Sequence, residues 1–345
     1  MLGGLERLFR RNGSRFIIDD ISQLIKSSTN PWELMQLHKF LFDAVRYEFR
    51  DPQRDMDYSA LDKVVERNKQ HVAEGRLEDT HPNVVLLVVG HLENPRMYYK
   101  YTDFFRENGI AHIYWIPLLH FQHTKANAVF FNRMADHLHK ITGKEKIDVI
   151  AHSRGGLVTS YAAMLKDEEM NRFNTIINVG TPFHGTFIAN AAYYALMGGI
   201  GERLLEKMGY SITPLREMMY CSELTETISK YISTVKGVDF YSIFSLKHDE
   251  AVIPGVCSII DSKNFTNIDV DEFLNLKRRV GHARLTQDQD ILDLELQILK
   301  GRFNKERFLQ KHTITTFEEY RRERDGKNLG PKEYDDVLNR ETVFA

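Results

Sequence analysis

The chain has 345 residues, enough for two domains or one large domain with additions, and its 46 Lys+Arg against 48 Asp+Glu leave a formal net charge of -2. Without a long basic block it is not built to hold nucleic acid through phosphate contacts, and 42% hydrophobic with 27% charged residues excludes disorder, collagen-like repeats or coiled coil for the bulk of the chain. Two cysteines, Cys221 and Cys257, cannot form a disulfide scaffold and fit a reducing compartment.

The first residues, MLGGLERLFRRNGSRF, place Glu6, Arg7, Arg10 and Arg11 where a secretory signal needs an unbroken apolar stretch, so export by that route is not expected and a cytoplasmic location is. From Leu5 to about Gly75 the pattern is helical. Its clearest start is Asn30-Pro31-Trp32-Glu33, an N-cap, a proline at N1 and a Glu placed for a capping box. Leu34, Leu37, Leu41 and Val45 then recur at three- and four-residue spacing, an apolar face expected to pack on the rest of the protein. Leu5, Leu8 and Phe9 beside Arg7, Arg10 and Arg11 would also suit a lipid interface, which makes peripheral membrane contact the alternative role for this extension over residues 1–80.

After Pro82 short apolar runs alternate with helical segments, the signature of βαβ units around a mainly parallel sheet flanked by helices. Val84 to Val89 reads as a buried strand, Asn94-Pro95 caps a helix through about Glu107, and Ile110 to Ile116 makes a second strand. Asn127 to Ile141 then reads as helix, Ile147 to Ala151 as strand, Gly155 to Lys166 as helix and Thr175 to Val179 as strand. Thr175 to Gly201 lacks Asp, Glu, Lys and Arg, but Asn178, Thr181, Pro182, His184, Gly185 and Asn190 break it into strand, turn and apolar helix rather than a membrane span. Between Phe187 and Lys236 a helical stretch with Met197, Met208, Met218 and Met219 reads as a cap inserted over the sheet. Strand character returns at Val238 to Phe244, a further strand is expected at Val256 to Ile260, and a last amphipathic helix runs from about Leu285 to Lys300. The chain thus divides into the helical extension 1–80, an α/β domain 81–301 carrying a cap at 186–236, and a charged tail 302–345.

The strongest chemical signal is Asp148-Val149-Ile150-Ala151-His152-Ser153-Arg154-Gly155-Gly156, a strand running into a serine and then into a helix start made of small residues. Such a nucleophile elbow lifts a serine Oγ clear at the carboxyl end of a sheet. Gly155 fits the last glycine of GxSxG, and Ala151 stands where the first would be. A serine nucleophile needs a base and an orienting acid, which follow in this fold in the order acid, then histidine. Asp249 lies shortly after the strand Val238 to Phe244, with Glu250 and Asp239 as competing acids, and His282 precedes the last helix. Backbone N–H groups of Arg154 and of His91, or alternatively Leu92, where the chain leaves the first strand, would face a developing oxyanion. His137 and His139 share no helix face, and His112, His120 and His123 lack ligand spacing, so no metal site and no cofactor are expected.

With those residues in place, the chain from about Pro82 to Lys300 resembles the α/β-hydrolase superfamily, in its lipase and esterase branch that includes bacterial triacylglycerol lipases. AHSRGGLV is similar to that branch's nucleophile motif, Val179-Gly180-Thr181-Pro182-Phe183-His184-Gly185-Thr186 to its TPHxGT-type segment, Leu215 to Leu224 with Ser222 to its loop before the acid, and KHDEAVIP and VGHARL to its acid and histidine motifs. It departs at Ala151, at Val89 where the family often has the His of an HG pair, and at His184, one place late. The resemblance implies an α/β-hydrolase fold and a Ser153–Asp249–His282 triad cleaving a carboxylic ester of a lipid or other acyl compound, with the cap lining an acyl pocket. Acyl transfer or amide cleavage on the same triad, and a non-catalytic binding protein on the same fold, are the competing expectations.

Overall fold

A computed structural model describes residues 57–91, 93, 99–119, 122–166, 171–195, 203, 211–312 and 316–326. The helix expected from Asn30, the cap at Asn94-Pro95, Leu92, Met197 and Met208 lie outside the described residues. Among the described residues the elements run α1 (Ser59–Ala73), β1 (Val84–Val88), α2 (Tyr99–Glu107), β2 (Ile113–Ile116), α3 (Thr124–Thr142), β3 (Ile147–His152), α4 (Arg154–Met164), β4 (Phe173–Val179), α5 (Phe187–Ala195), α6 (Thr213–Glu217), α7 (Glu223–Tyr231), β5 (Asp239–Phe244), β6 (Phe265–Asp269), α8 (Val270–Phe273), α9 (Gln289–Leu299), α10 (Lys305–Lys311) and α11 (Phe317–Gly326).

The six strands form one sheet in the order β2-β1-β3-β4-β5-β6, with every neighbouring pair parallel. Parallel strands covered on both faces must be apolar on both, which is why β1 reads VVLLV without alternation and is buried throughout. The chain steps from β1 outward to β2 and then back past β1 to β3, so the connection reverses between β1 and β3. Right-handed crossovers then put helices on both faces. On one face α3 and α4 pack together, with α1 burying Ala60, Leu61, Val64 and Val65 in the same core. On the other, α2 meets α9 through Tyr101 and Glu295. At the amino ends of the strands the buried Asp148 carboxylate takes hydrogen bonds from His81 (2.8 Å), Asn83 (2.9 Å), Asn174 (2.8 Å) and the Thr175 N–H (3.0 Å), so that charge is fully engaged in holding the sheet.

The further strand expected at Val256 to Ile260 is instead a 3-10 turn over Gly255–Ser258, and the sixth strand forms later, at Phe265–Asp269. Pro254 supplies no N–H to a ladder, and a Cβ at Gly255 would stand 2.8 Å from the Leu246 carbonyl oxygen, so this segment folds tightly back on the loop after β5. Beyond Arg302, α10 and α11 bury Phe308 and Phe317. No helix among the described residues is long and apolar enough to cross a membrane.

Glu295 is fully buried in α9, and burial pushes its carboxyl well above the usual range despite the opposing bond from the Tyr101 hydroxyl, 3.0 Å long. Its folded-state value lies above the unfolded one, so the protein gains a proton relative to the unfolded chain and loses stability as pH rises above the ordinary Glu range. Glu295→Gln is isosteric, keeps an acceptor for Tyr101 and cannot ionise. It is expected to raise the melting temperature at pH 8 while changing it little at pH 4.5, as scanning calorimetry at the two pH values would show.

Candidate active site

The reversal between β1 and β3 opens a crevice at the carboxyl ends of the strands, the place where ligands bind in open parallel sheets. Ser153 directly follows β3, Asp249 lies in the turn after β5, and His282 meets the Asp249 carboxylate. Ser153 follows β3 directly with φ 53 and ψ -126, a left-handed backbone that a residue with a Cβ adopts only under strain. Its N–H donates to the Val179 carbonyl (2.8 Å), and its own carbonyl accepts from Gly156 N–H (3.0 Å) as α4 begins. Two close approaches make the turn possible. A Cβ at Gly155 would lie 2.7 Å from the Val89 carbonyl oxygen, and one at Gly156 would collide with the Thr181 side chain. Ala151, the departure from GxSxG, is fully buried between Val88 and Asn178 on the neighbouring strands, where a methyl group fits.

Asp249 sits in the turn after β5. One of its carboxylate oxygens accepts from the Ala251 and Val252 N–H groups, both at 2.9 Å, and its side chain is 1% exposed. The carboxylate faces the Nδ1 of His282 at 2.9 and 3.0 Å. Of the competing acids, Asp239 is 65% exposed and lies at the amino end of β5, paired with Lys305, away from the crevice. Glu250 accepts the main-chain N–H of His282 (3.1 Å) rather than a ring proton and orients the loop, not the imidazole. Burial opposes charge on the His282 ring, but the Asp249 carboxylate, with Glu93 and Glu250 further off, outweighs it and holds the imidazole above its ordinary value.

Gly180, with φ 56, closes the floor of the site: a Cβ there would stand 3.1 Å from His282 Nδ1 and 3.2 Å from the Asp249 carboxylate. Gly90 closes the other side, since a Cβ there would stand 2.9 Å from the Ser153 Cβ. The turn through Gly90 and His91 therefore runs directly against the candidate nucleophile, and Leu92 lies outside the described residues. Arg154 opens α4, so its N–H belongs to the first turn of the helix, where amides have no intrahelical acceptor. Its buried guanidinium donates to the Gln122 carbonyl, with the Glu217 carboxylate of α6 at 4.0 Å. Glu217 also accepts from the N–H and the hydroxyl of Thr124, both at 2.7 Å, tying α6 to the start of α3. Among the described residues no hydrogen bond joins the Ser153 hydroxyl to the His282 ring, a contact that in ligand-free serine hydrolases often closes only with substrate. No group of three or more His, Cys, Asp or Glu able to hold a metal ion occurs among the described residues.

Two contributors were not legible from the sequence. His152, inside the AHSRGG string, donates from Nε2 to the His282 carbonyl (3.1 Å) and lies against the His282 ring, centroids 4.5 Å apart. Glu93 bonds the other ring nitrogen of His152 and the N–H of Gly90.

Known proteins share the architecture of this chain. A family profile described as "Domain of unknown function (DUF7379)" matches residues 121–245, which include β3, Ser153 and β5. No curated protein matches the chain by sequence. Among solved structures, the mature form of the lipase BlEst2 from Bacillus licheniformis is 14% identical with a TM-score of 0.50, the match covering 64% of this chain and 94% of that one. Aspergillus fumigatus lipase B is similar at 14% identity and a TM-score of 0.50, over 65% of this chain and 55% of that one. Likeness at such low identity speaks for architecture, and together with the parallel strand order and its reversal at the crevice it identifies the chain as an α/β-hydrolase fold.

Proposed function

We propose that this protein is a serine hydrolase that cleaves a carboxylic ester of a lipid or other acyl compound through Ser153, His282 and Asp249. The reading is supported by the buried Asp249–His282 hydrogen bond together with a serine held in a left-handed elbow directly after β3. Asp249 fixes the proton on Nδ1, leaving Nε2 with a lone pair to take the Ser153 proton while Oγ attacks the ester carbonyl. The tetrahedral oxyanion then faces the N–H of Arg154, reinforced by the positive end of α4, and the N–H of His91. Collapse breaks the C–O bond, His282 returns its proton to the leaving alcohol, and a water activated in the same way releases the acid. Ile188 and Tyr194 on α5, 39% and 68% exposed, give the segment proposed as a cap an apolar surface, which favours an acyl chain over a polar substrate.

Fluorophosphonate labelling with intact-mass detection tests this without a guess at the substrate. Wild type is expected to gain a single adduct that Ser153→Ala, equally folded by circular dichroism, does not. An unlabelled wild type in the presence and absence of mild detergent would remove the hydrolase reading and leave a binding role on the same fold.

A further inference from the structure

We infer that Glu93 and His152 form a positioning pair that locks the oxyanion turn and the catalytic histidine onto one another, an inference that rests on the hydrolase reading above. The pair is built from three segments with no sequence proximity. Glu93 belongs to the turn after β1, His152 is the last residue of β3, and the carbonyl it meets belongs to His282, after β6.

The hydrogen bonds define the proton positions. The His282 carbonyl can only accept, so the Nε2 of His152 carries a proton and donates it over 3.1 Å. The Nδ1 then meets one oxygen of Glu93, and the second oxygen accepts the Gly90 N–H. Both imidazole nitrogens are thereby committed to partners. The His152 side chain is 1% exposed and that of Glu93 11%, so water competes little for these bonds. Glu93 meets the site through the Gly90 N–H and His152 through the His282 carbonyl, which is why they are assigned a positioning and not a catalytic role.

Two consequences follow from the geometry. First, Glu93 fixes the turn whose next N–H, that of His91, is proposed to face the oxyanion. With the Gly90 backbone pressed against Ser153, a displacement of this turn changes the donor distance directly. Second, the charge of Glu93 faces His282. The ring is surrounded by Asp249 and Glu250 from the loop after β5, Glu93 from the turn after β1, and His152 from β3. Glu93 is one of the three carboxylates that favour the imidazolium, so its removal is expected to lower the pH below which His282 is protonated and inactive.

The experiment compares Glu93→Gln and Glu93→Ala with wild type on a short-chain chromogenic ester across pH 5 to 9, with fluorophosphonate labelling rates alongside. Glu93→Gln keeps an acceptor for Gly90 but no charge. It is expected to move the acid limb of kcat/KM down by about half a pH unit with a small change in kcat. Glu93→Ala is expected to move the limb similarly and to lower kcat by about 10- to 100-fold at nearly constant KM, less than the loss of a whole oxyanion donor. A folded Glu93→Ala with the wild-type kcat and pH profile overturns the inference and makes the pair a buried contact only. If Glu93→Ala does not fold, an unshifted acid limb in Glu93→Gln is sufficient to overturn it. A wild type that labels at Ser153 keeps the hydrolase reading independent of either result, whereas one that neither labels nor turns over overturns both.

Discussion

Asp249→Asn is expected to leave the fold intact and lower kcat by about 10,000-fold, the size of effect seen when a triad carboxylate becomes an amide. The amide oxygen can still accept from the Ala251 and Val252 N–H groups, so the loop keeps its bonds. The amide NH2 then faces the His282 Nδ1, where a carboxylate stood at 2.9 Å. Two donors cannot share that contact, so the imidazole turns its lone pair to Nδ1 and carries its proton on Nε2, where it cannot accept from Ser153. The acid limb of kcat/KM should also move to lower pH, because the carboxylate that raises the His282 value most is gone. The same pair contributes to stability. A histidine whose folded value is raised stabilises fully below its unfolded value and loses that contribution as pH rises through the folded one, a slope the variant should lack. Steady-state kinetics and urea unfolding from pH 5 to 9 would decide. A variant within tenfold of wild type would remove Asp249 as the acid and turn attention to Glu250.

What the sequence makes legible follows a physical division. β1 is an unbroken run of branched apolar residues, and β3 carries Ile147, Val149 and Ile150, because both sheet faces are covered, and such patterns can be read without contacts. Ser153, Asp249 and His282 stand out because each belongs to a loop leaving a strand or preceding a helix, in a fixed chain order. The sixth strand is hidden because FTNID is polar at Thr266, Asn267 and Asp269, and it holds its place through partners elsewhere: Asn267 bonds both the N–H and the carbonyl of Ile260. Glu93 is hidden for a related reason. Its role exists only through His152, 59 positions on, and nothing in Gly90-His91-Leu92-Glu93 signals that contact. Gly180 lay within a recognised segment, but its need for a missing Cβ emerges only when Asp249 and His282 are folded over it. Local pattern reports burial and turns; a site assembled from three or four loops is reported only by their meeting.

Phe317→Ala carries the largest expected loss of stability, and it tests how the segment beyond Arg302 serves the site. Phe317 is 2% exposed and packs with Val252 and Cys257 behind the turn that holds Asp249. Its ring stacks face to face on His184, centroids 3.5 Å apart and planes 3° from parallel. Thr186, two residues after His184, donates its hydroxyl to the Ala251 carbonyl (2.8 Å) and accepts the Ile253 N–H (3.0 Å), so this ring lies against both walls of the acid turn. Truncating a buried Phe to Ala costs about 3 to 5 kcal/mol, most where the cavity cannot collapse, and a stacked ring between two tied loops is such a place. Burial also pushes the His184 imidazole down to about 4. With a folded value below the unfolded one of about 6.5, stability is lost as pH falls between the two, because the unfolded chain binds the proton first. Opening the ring face in Phe317→Ala should let His184 charge more readily and flatten that acid slope. Chemical denaturation of wild type and Phe317→Ala at pH 7 and pH 5 measures both effects. A loss below about 1 kcal/mol would mean that α11 rests on the domain without bracing it. A loss of the expected size with kcat falling alongside would tie the geometry of Asp249 to a residue 68 positions further along the chain.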